Sequence, residues 1–292
     1  MVEWIWRQIG IQLPADWECL QYARESAQGR CAFADRHRFR LELNWRVFKT
    51  APDLERMTKD YAASLEAGWE DIKFIRCRGW PGLTGRRGEE TVSRFGAYLD
   101  ELNVLVEVVC IHPDKRDDAL EARILPTVRA VPPDADGYQR WRAFGMDMRV
   151  PASFQLSECA VEPARVGMRF EGPNKPDRWI FRRYGMVDDW LKISLREWLK
   201  LQCDAEVKEA RFMTATQGNR AIERVEGVWK PEGLLLRGGL YTASAWREPG
   251  DQRLYHAICI TGKKQRPYHP QEGADTMMQA RPEFLVVSGR TD

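Results

Sequence analysis

The stretch WRQIGIQLPADW (residues 6–17) has a similar copy half a chain later, WRAFGMDMRVPASF (residues 141–154). Trp, Arg, Gly, Pro and Ala recur in the same order, and the positions between them exchange one apolar residue for another. The first Trp recurs at an offset of 135 residues (6 to 141) and the Pro at an offset of 137 (14 to 151). Internal similarity at so long a period predicts two tandem domains, since solenoid repeats are only roughly 20–50 residues long.

The composition is that of a globular protein with substantial cores, because the 292 residues are 43% hydrophobic and 30% charged. The formal net charge of +2 gives no electrostatic reason to expect nucleic acid or an anionic membrane as the main partner. No run approaches the ~18 consecutive apolar residues of a membrane span. We therefore expect neither nucleic-acid binding nor a membrane span.

The cysteines indicate a reducing compartment. They are odd in number, seven, and none belongs to a C-x-x-C pair, which is typical of free thiols and not of a disulfide frame or a zinc site. The N-terminus carries Glu3 and no long apolar core followed by small residues, so it does not resemble a signal peptide. We predict a cytoplasmic protein, and we expect no metal or cofactor because the sequence contains no H-E-x-x-H or P-loop motif.

Hydrophobic periodicity predicts the elements of the first half. Residues 30–33 and 39–45 form a hairpin, because apolar and polar residues alternate along its second arm. Thr50 caps a helix that has Pro52 in its first turn and ends at Gly68. The other predicted elements are strands at residues 72–77, 89–99 and 102–111, a Gly/Pro-rich turn at residues 79–88, and a helix near residues 120–128.

The second half repeats this order with differences. Residues 166–170 and 179–184 predict a hairpin, and Ser194 with Glu197 forms a capping box that opens a helix. An extra strand at residues 234–246 has no predicted counterpart in the first half. The remaining predicted strands lie at residues 212–216, 222–229 and 254–261.

Strands arranged in hairpins, punctuated by one or two helices and without βαβ alternation, predict an α+β fold. The prediction is two tandem similar domains, each an antiparallel sheet flanked by helices. The predicted boundaries are residues 1–131 for the first domain, 132–138 for a linker, 139–262 for the second domain and 263–292 for a C-terminal tail.

The order of elements, together with the repeated motif and the break at His112-Pro113-Asp114, resembles the PsbP-like superfamily, which includes the bacterial DcrB-like (DUF1795) proteins. The resemblance covers residues 4–131 once and residues 139–262 again. It implies a PsbP-like fold and a binding or assembly factor in place of an enzyme. No residue matches a functional motif of the superfamily, so the resemblance assigns no site.

We therefore predict a non-enzymatic protein-interaction or adaptor protein whose partner is another protein. The turns that differ most between the two halves supply the candidate contacts. They are Trp80, Arg86 and Arg87 in the first half, and Trp229, Tyr241 and Trp246 in the second. The alternative interpretation of these tryptophans is that they fill the cores of the two domains.

Two other functions remain open. A carrier of a small apolar ligand would hold it between sheet and helix, in a cavity near the strand at residues 102–111 or its duplicate. An enzyme would need a convergent polar cluster around Cys110 and His112, or around Tyr255 and His256. The simpler interpretation of Cys110 and His112 is a core thiol beside a histidine at the end of a strand. The glycines and arginines of residues 82–88 could hold a phosphate, but a hairpin turn is the better interpretation.

Overall fold

A computed structural model of the chain describes residues 1–65, 68–217, 220–231, 238–248, 252–262 and 278–280. The chain divides into two compact units, Met1–Pro132 and Pro133–Asp292. Apart from residues 278–280, the predicted C-terminal tail from residue 263 onward lies outside the described residues, and so does the start of the predicted strand at residues 234–246.

The first unit contains ten strands and two α-helices among its described residues. In chain order they are β1 (Val2–Trp6), β2 (Ile9–Leu13), β3 (Glu18–Tyr22), β4 (Gln28–Ala34), β5 (Phe39–Val47), α1 (Leu54–Ser64), β6 (Trp69–Cys77), β7 (Trp80–Arg87), β8 (Glu90–Leu99), β9 (Val104–His112), α2 (Asp118–Ile124) and β10 (Arg129–Ala130). Short 3-10 turns follow β8 and α2.

The second unit has a similar series of elements. They are β11 (Tyr138–Ala143), β12 (Met146–Pro151), β13 (Gln155–Glu162), β14 (Arg165–Glu171), β15 (Arg178–Tyr184), α3 (Val187–Trp190), α4 (Leu195–Gln202), β16 (Val207–Gln217), β17 (Arg220–Trp229), β18 (Gly239–Arg247), β19 (Leu254–Gly262) and β20 (Met278–Ala280).

Each unit is built on a seven-stranded antiparallel sheet. Its strand order is β3-β4-β5-β9-β8-β7-β6 in the first unit and β13-β14-β15-β19-β18-β17-β16 in the second. The first unit also has the β1–β2 hairpin with β10 paired to β2. The second unit has the β11–β12 hairpin with β20 paired to β12. The two seven-stranded orders correspond strand for strand.

The predicted α+β class is wrong, because the structure is mostly β, with 57% strand and 15% helix among the described residues. The predicted helices exist, but they are short. The prediction missed strands where Gly and Pro interrupt the sequence, in both copies of the repeated motif and at residues 79–88. A turn was predicted at residues 79–88 and no element in the repeated motif, yet each segment pairs along its length with neighbouring strands.

Both copies of the repeated motif form the same tight hairpin. The two residues between β1 and β2, Arg7 and Gln8, have positive φ angles of 52° and 67°. The two residues between β11 and β12, Phe144 and Gly145, have φ angles of 50° and 75°. Two successive left-handed residues make a type I′ turn, whose twist matches that of the flanking strands. Only the second copy places a glycine there.

The helix starts differ in how well they were predicted. The predicted cap of α1 at Thr50 is wrong: Asp53 is the N-cap, and its carboxylate accepts a hydrogen bond from the backbone N–H of Arg56 (3.0 Å). Asp is a strong N-cap, and Pro52 before it favours an extended chain entering the helix. The predicted capping box is confirmed, since Ser194 and Glu197 bond each other's backbone N–H at the start of α4.

Residues 80–87 form strand β7, so the predicted turn at residues 79–88 is wrong. Gly82 and Gly85 lie inside this strand because their neighbours leave no room for a side chain. A Cβ at Gly82 would collide with the carbonyl oxygen of Arg94, and one at Gly85 would lie 3.1 Å from the ring of Trp69. With β7 present, strands β6 to β9 of the first unit correspond to β16 to β19 of the second. The strand predicted as extra in the second half, β18, therefore has a counterpart, β8.

The two faces of the first unit's sheet differ in burial. Leu41, Leu43 and Trp45 of β5 are buried, while the residues between them are half-buried. The buried face packs against the β1–β2 hairpin, where Trp4 contacts Phe33 edge to face at 5.3 Å. The opposite face carries the polar residues of β5. The predicted period-2 alternation of this strand is confirmed.

The two seven-stranded sheets also share their irregularities. A bulge interrupts the pairing of β6 with β7 and of β16 with β17, and in each a non-glycine residue has positive φ, Asp71 (54°) and Glu209 (57°). If the two sheets are aligned so that Asp71 corresponds to Glu209, the pairing registers also align a second bulge, at Leu20 in β3 and at Ser157 in β13. In the same alignment Glu107 of β9 corresponds to His256 of β19.

Candidate functional site

Helix α1 lies over one side of the first unit's sheet and leaves the middle of that face open. It contacts β7 and β8, and none of its 11 residues is buried. Two polar contacts hold it: Glu55 pairs with Arg76 of β6, and the guanidinium of Arg94 of β8 lies 4.3 Å from the ring centre of Tyr61. A surface helix normally buries an apolar stripe against the core. The stripe of α1 therefore remains partly available for another molecule.

A groove runs between α1 and strands β5, β8 and β9, and we call it the α1 groove. Its inner part has a volume of about 120 Å³ and its open outer part about 750 Å³. Four residues line both parts: Met57 and Tyr61 from α1, and Leu105 and Glu107 from β9. Small-molecule sites typically measure about 300–1,000 Å³, so the groove is large enough for a ligand.

Glu107 is the polar centre of the α1 groove. Its Oε2 accepts a hydrogen bond from Nδ2 of Asn44 on β5 (3.1 Å), and its Oε1 accepts one from the guanidinium of Arg94 on β8 (2.8 Å). The side chain of Glu107 is 29% exposed. Bonds from two neighbouring strands hold this carboxylate in one orientation, which is the preorganisation that a binding site needs.

The corresponding face of the second unit is covered. Helix α4 buries Trp198 and Leu199 against an apolar cluster of that sheet. The indole of Trp198 contacts the ring of His256 edge to face at 5.2 Å, at the position that Glu107 has in the first unit. Tyr184 and Trp190 add further ring contacts to Trp198 at 5.6 and 6.3 Å. The two units thus present an open and a filled version of one surface.

His256 is fully buried, and neither of its ring nitrogens has a hydrogen-bond partner among the described residues. Burial, and secondarily the charge of Arg182 on the neighbouring strand, lowers the pKa of His256 to about 3. The imidazole is therefore neutral in the folded protein at any physiological pH.

The burial of His256 makes stability depend on pH. The unfolded chain takes up a proton at this residue below about pH 6.5, whereas the folded chain does so only near pH 3. The contribution of neutral His256 to the free energy of unfolding is complete above the unfolded pKa. It decreases by about 1.4 kcal/mol per pH unit as the pH falls below that value. Between about pH 7.5 and 5 we expect a loss of about 2 kcal/mol, measured by urea unfolding at each pH.

A His256→Leu variant should lose correspondingly less stability over the same pH interval. The matched control is His37→Leu, which removes an exposed histidine and leaves the buried one in place. An unchanged pH dependence in His256→Leu would contradict the assignment of a neutral, buried imidazole.

A second polar cluster lies on the opposite face of the first unit's sheet, between β9 and α2. Glu121 is completely buried; one oxygen contacts Nε2 of His112 (3.0 Å), and the other accepts from Nε of Arg116 (2.8 Å). The backbone N–H of Asp117 points at Nδ1 of His112 (3.4 Å), so the proton of a neutral His112 is on Nε2 and is donated to Glu121. Every charged group in the cluster is paired, which makes it an anchor for α2.

Burial raises the pKa of Glu121, but hydrogen bonds from His112, Arg116 and Ser93 outweigh it, and the pKa is lowered overall. The neighbouring thiol of Cys110 behaves differently. Burial, and secondarily the charge of Glu121, raises the pKa of Cys110 well above its usual range. A thiol without thiolate character is a poor nucleophile, so Cys110 and His112 do not form an activated pair.

The first three predicted contact residues do not converge. Trp80 begins β7 opposite Cys77, whereas Arg86 and Arg87 end the same strand, with Arg87 opposite Trp69. Trp80 is half-buried and the two arginines are exposed. The strand separates the tryptophan from the cations by its own length, so they do not form a single contact surface. The backbone of this strand is paired with β6 and β8, so it does not form the loop that phosphate binding would need.

The other three predicted contact residues are buried in the second unit. Trp229 and Tyr241 belong to the apolar cluster beneath α4, and Trp246 stacks on Tyr255 with ring centres 5.8 Å apart. Their exposed fractions are 9%, 2% and 0%, so their side chains offer almost no surface to a partner. The structure places them where the alternative interpretation of the tryptophans put them, in the core.

The residue that our sequence reasoning missed is Glu107. The signal was present, because Glu107 is the single charged residue before the terminal histidine in the otherwise apolar strand VLVEVVCIH (Val104–His112). A lone acid in such a strand indicates either a buried pair or a polar site on a partly open face. The sequence does not show which, since the answer depends on how far α1 extends over the sheet.

Comparison with protein-family models gives no match, and comparison with curated proteins finds no similar chain. The resemblance to the PsbP-like superfamily therefore stays a prediction from the sequence. Among the described residues, no helix is long and apolar enough to cross a membrane.

Proposed function

We propose that this chain is a non-enzymatic binding protein and that the α1 groove holds a small amphipathic ligand. One observation carries the proposal: α1 buries none of its residues and stands beside a groove of about 750 Å³ with a fixed carboxylate in its floor. The groove is lined by Leu105 and Glu107 of β9, the strand near which a carrier was expected to have its cavity. The charged floor makes the expected ligand amphipathic and not purely apolar.

The correspondence between the two units supports a division of labour. Both sheets have the same strand order and two bulges in register, which we take as the mark of an internal duplication. One copy has its α-helical face filled by Trp198 and the other has it open. Duplication followed by loss of the covering aromatic residue would yield one stable unit and one binding unit. None of the seven cysteines forms a disulfide with another described residue, which supports a reducing compartment such as the cytoplasm.

A second candidate is protein binding by the second unit. Four large apolar residues on the α3–α4 segment are exposed: Met186 (61%), Trp190 (41%), Ile193 (43%) and Leu201 (75%). An exposed apolar surface of this kind is typical of a protein contact. This candidate is the adaptor function expected from the sequence, moved from the predicted residues to α3 and α4.

A blocked groove should lose its ligand. Met57→Arg places a long charged side chain at the mouth of the groove, where Met57 is 39% exposed and its loss costs little stability. We expect native mass spectrometry of protein from its own cell lysate to show a small-molecule adduct on the wild type and none on this variant. Ala63→Arg adds the same charge at an exposed position of the same helix and should keep the adduct.

An adduct that survives Met57→Arg, or a wild type without one, would contradict the groove as the ligand site. A bound protein that is lost on Leu201→Glu but kept on Met57→Arg would favour the second candidate instead.

A further inference from the structure

The second unit shows which chemical group this face of the sheet accepts when it is covered. Trp198 is 6% exposed, and its indole ring meets His256 edge to face. On the neighbouring strands, His256 lies between Arg182 of β15 and Ala245 of β18. The covering group is thus a planar aromatic ring over the central strand of the sheet. Its N–H makes no bond to His256, whose ring nitrogens have no partner among the described residues.

The first unit has the same arrangement of strands without the covering ring. Glu107 takes the place of His256, and it lies between Asn44 of β5 and Gly96 of β8. Helix α1 places its aromatic residue, Tyr61, against the guanidinium of Arg94. A Cβ at Gly96 would meet only Leu54, at 3.7 Å, so the strand beside Glu107 adds space to the groove.

The polar groups of the floor determine the charge of a suitable ligand. Arg94 directs its guanidinium to Glu107, so this pair is locally neutral. The outer part of the groove adds Arg30, which pairs with Glu42, and the oppositely charged Glu25 and Arg46, so the lining favours neither an anion nor a cation. One oxygen of Glu107 accepts a hydrogen bond from Asn44 and the other accepts one from Arg94, and a carboxylate oxygen can accept a second. A neutral ligand with one N–H donor would donate this second hydrogen bond to Glu107.

We propose that the α1 groove binds a neutral planar aromatic ring bearing an N–H donor, of the size and kind of an indole. The inference rests on the proposed function of the groove and names the class of its ligand. The ring lies between Met57 and Leu105, in the position that Trp198 takes in the second unit, and its N–H donates to Glu107. Met57 and Leu105 contribute burial of the ring, and the carboxylate sets its orientation.

The test uses three probes with the full chain: indole, 1-methylindole and cyclohexanol. Binding is measured by ligand-observed saturation-transfer NMR, with titrations for the dissociation constants. We expect indole to bind with a Kd on the order of 1 mM or tighter, 1-methylindole several-fold more weakly because it lacks the donor, and cyclohexanol at least tenfold more weakly. Met57→Arg should weaken indole binding at least tenfold, and Ala63→Arg should leave it unchanged.

A Glu107→Gln variant separates the donor contact from the shape of the groove. It keeps the side-chain length but offers a neutral acceptor, so indole should bind more weakly while 1-methylindole binds as before. Equal affinity for indole and cyclohexanol, both lost on Met57→Arg, would overturn the aromatic class and leave the groove as a ligand site. No indole binding by the wild type would also overturn it, and the adduct from cell lysate then decides the proposed function separately.

Discussion

Replacing Glu121 by Gln is expected to destabilise the first unit by about 1.5–3 kcal/mol, the usual range for losing hydrogen bonds to a buried charged group. Glu121 is completely buried and accepts hydrogen bonds from His112 and Arg116. The amide keeps the shape of the side chain but removes the charge that both neighbours face. Urea unfolding of the full chain at neutral pH, followed by tryptophan fluorescence, measures the loss.

Asp118→Asn is the matched control, because Asp118 contacts the same arginine. Its carboxylate lies 2.9 Å from Arg116, but its side chain is 75% exposed. Exposed ion pairs contribute no more than about 1 kcal/mol, since water solvates the separated charges almost as well. If Glu121→Gln costs no more than Asp118→Asn, the cluster does not anchor α2.

Glu121→Gln should also change how the stability of the protein depends on pH in acidic solution. The folded pKa of Glu121 is lowered, so its contribution is complete above the unfolded pKa and is lost as pH falls through the folded value. The difference between wild type and Glu121→Gln should therefore shrink as the solution is acidified below about pH 4.5.

The cluster around Glu121 also shows what the sequence could and could not predict. A strand at residues 102–111 and a helix near residues 120–128 were both predicted, and the structure has β9 at Val104–His112 and α2 at Asp118–Ile124. The contact between them was not predicted, because α2 has to fold back against the sheet before Glu121 reaches His112. Periodicity reports which side of an element is apolar, but it does not report which element covers it.

Strand β7 was missed for a different reason. Its glycines and proline have a low intrinsic preference for strands, so the local sequence favoured a turn. The neighbouring backbone at Gly82 excludes any side chain, and this requirement arises only in the assembled sheet. The α1 groove could not be predicted either, since α1 and α4 have similar sequence patterns but only α4 inserts a tryptophan into its sheet.

Trp198→Ala is expected to cost the second unit about 3–5 kcal/mol, the usual cost of deleting a large buried aromatic side chain. Trp198 contacts Tyr184, Trp190 and His256. The deletion leaves a cavity lined by these rings, with the unpartnered nitrogens of His256 at its base. Urea unfolding of the full chain measures the loss. Trp190→Ala is the matched control: Trp190 belongs to the same cluster but is 41% exposed, so about 1 kcal/mol is expected.

Added indole should restore part of the stability lost in Trp198→Ala, because a ligand that binds only the folded state stabilises it by RT ln(1 + [L]/Kd). The Met57→Arg background removes binding in the α1 groove, so any stabilisation there reports on the second unit alone. Restoration would show that indole binds over the central strand of this sheet, at the position of the deleted Trp198 ring. If Trp198→Ala costs no more than Trp190→Ala, or if indole restores nothing, the second unit is not a template for the ligand of the first.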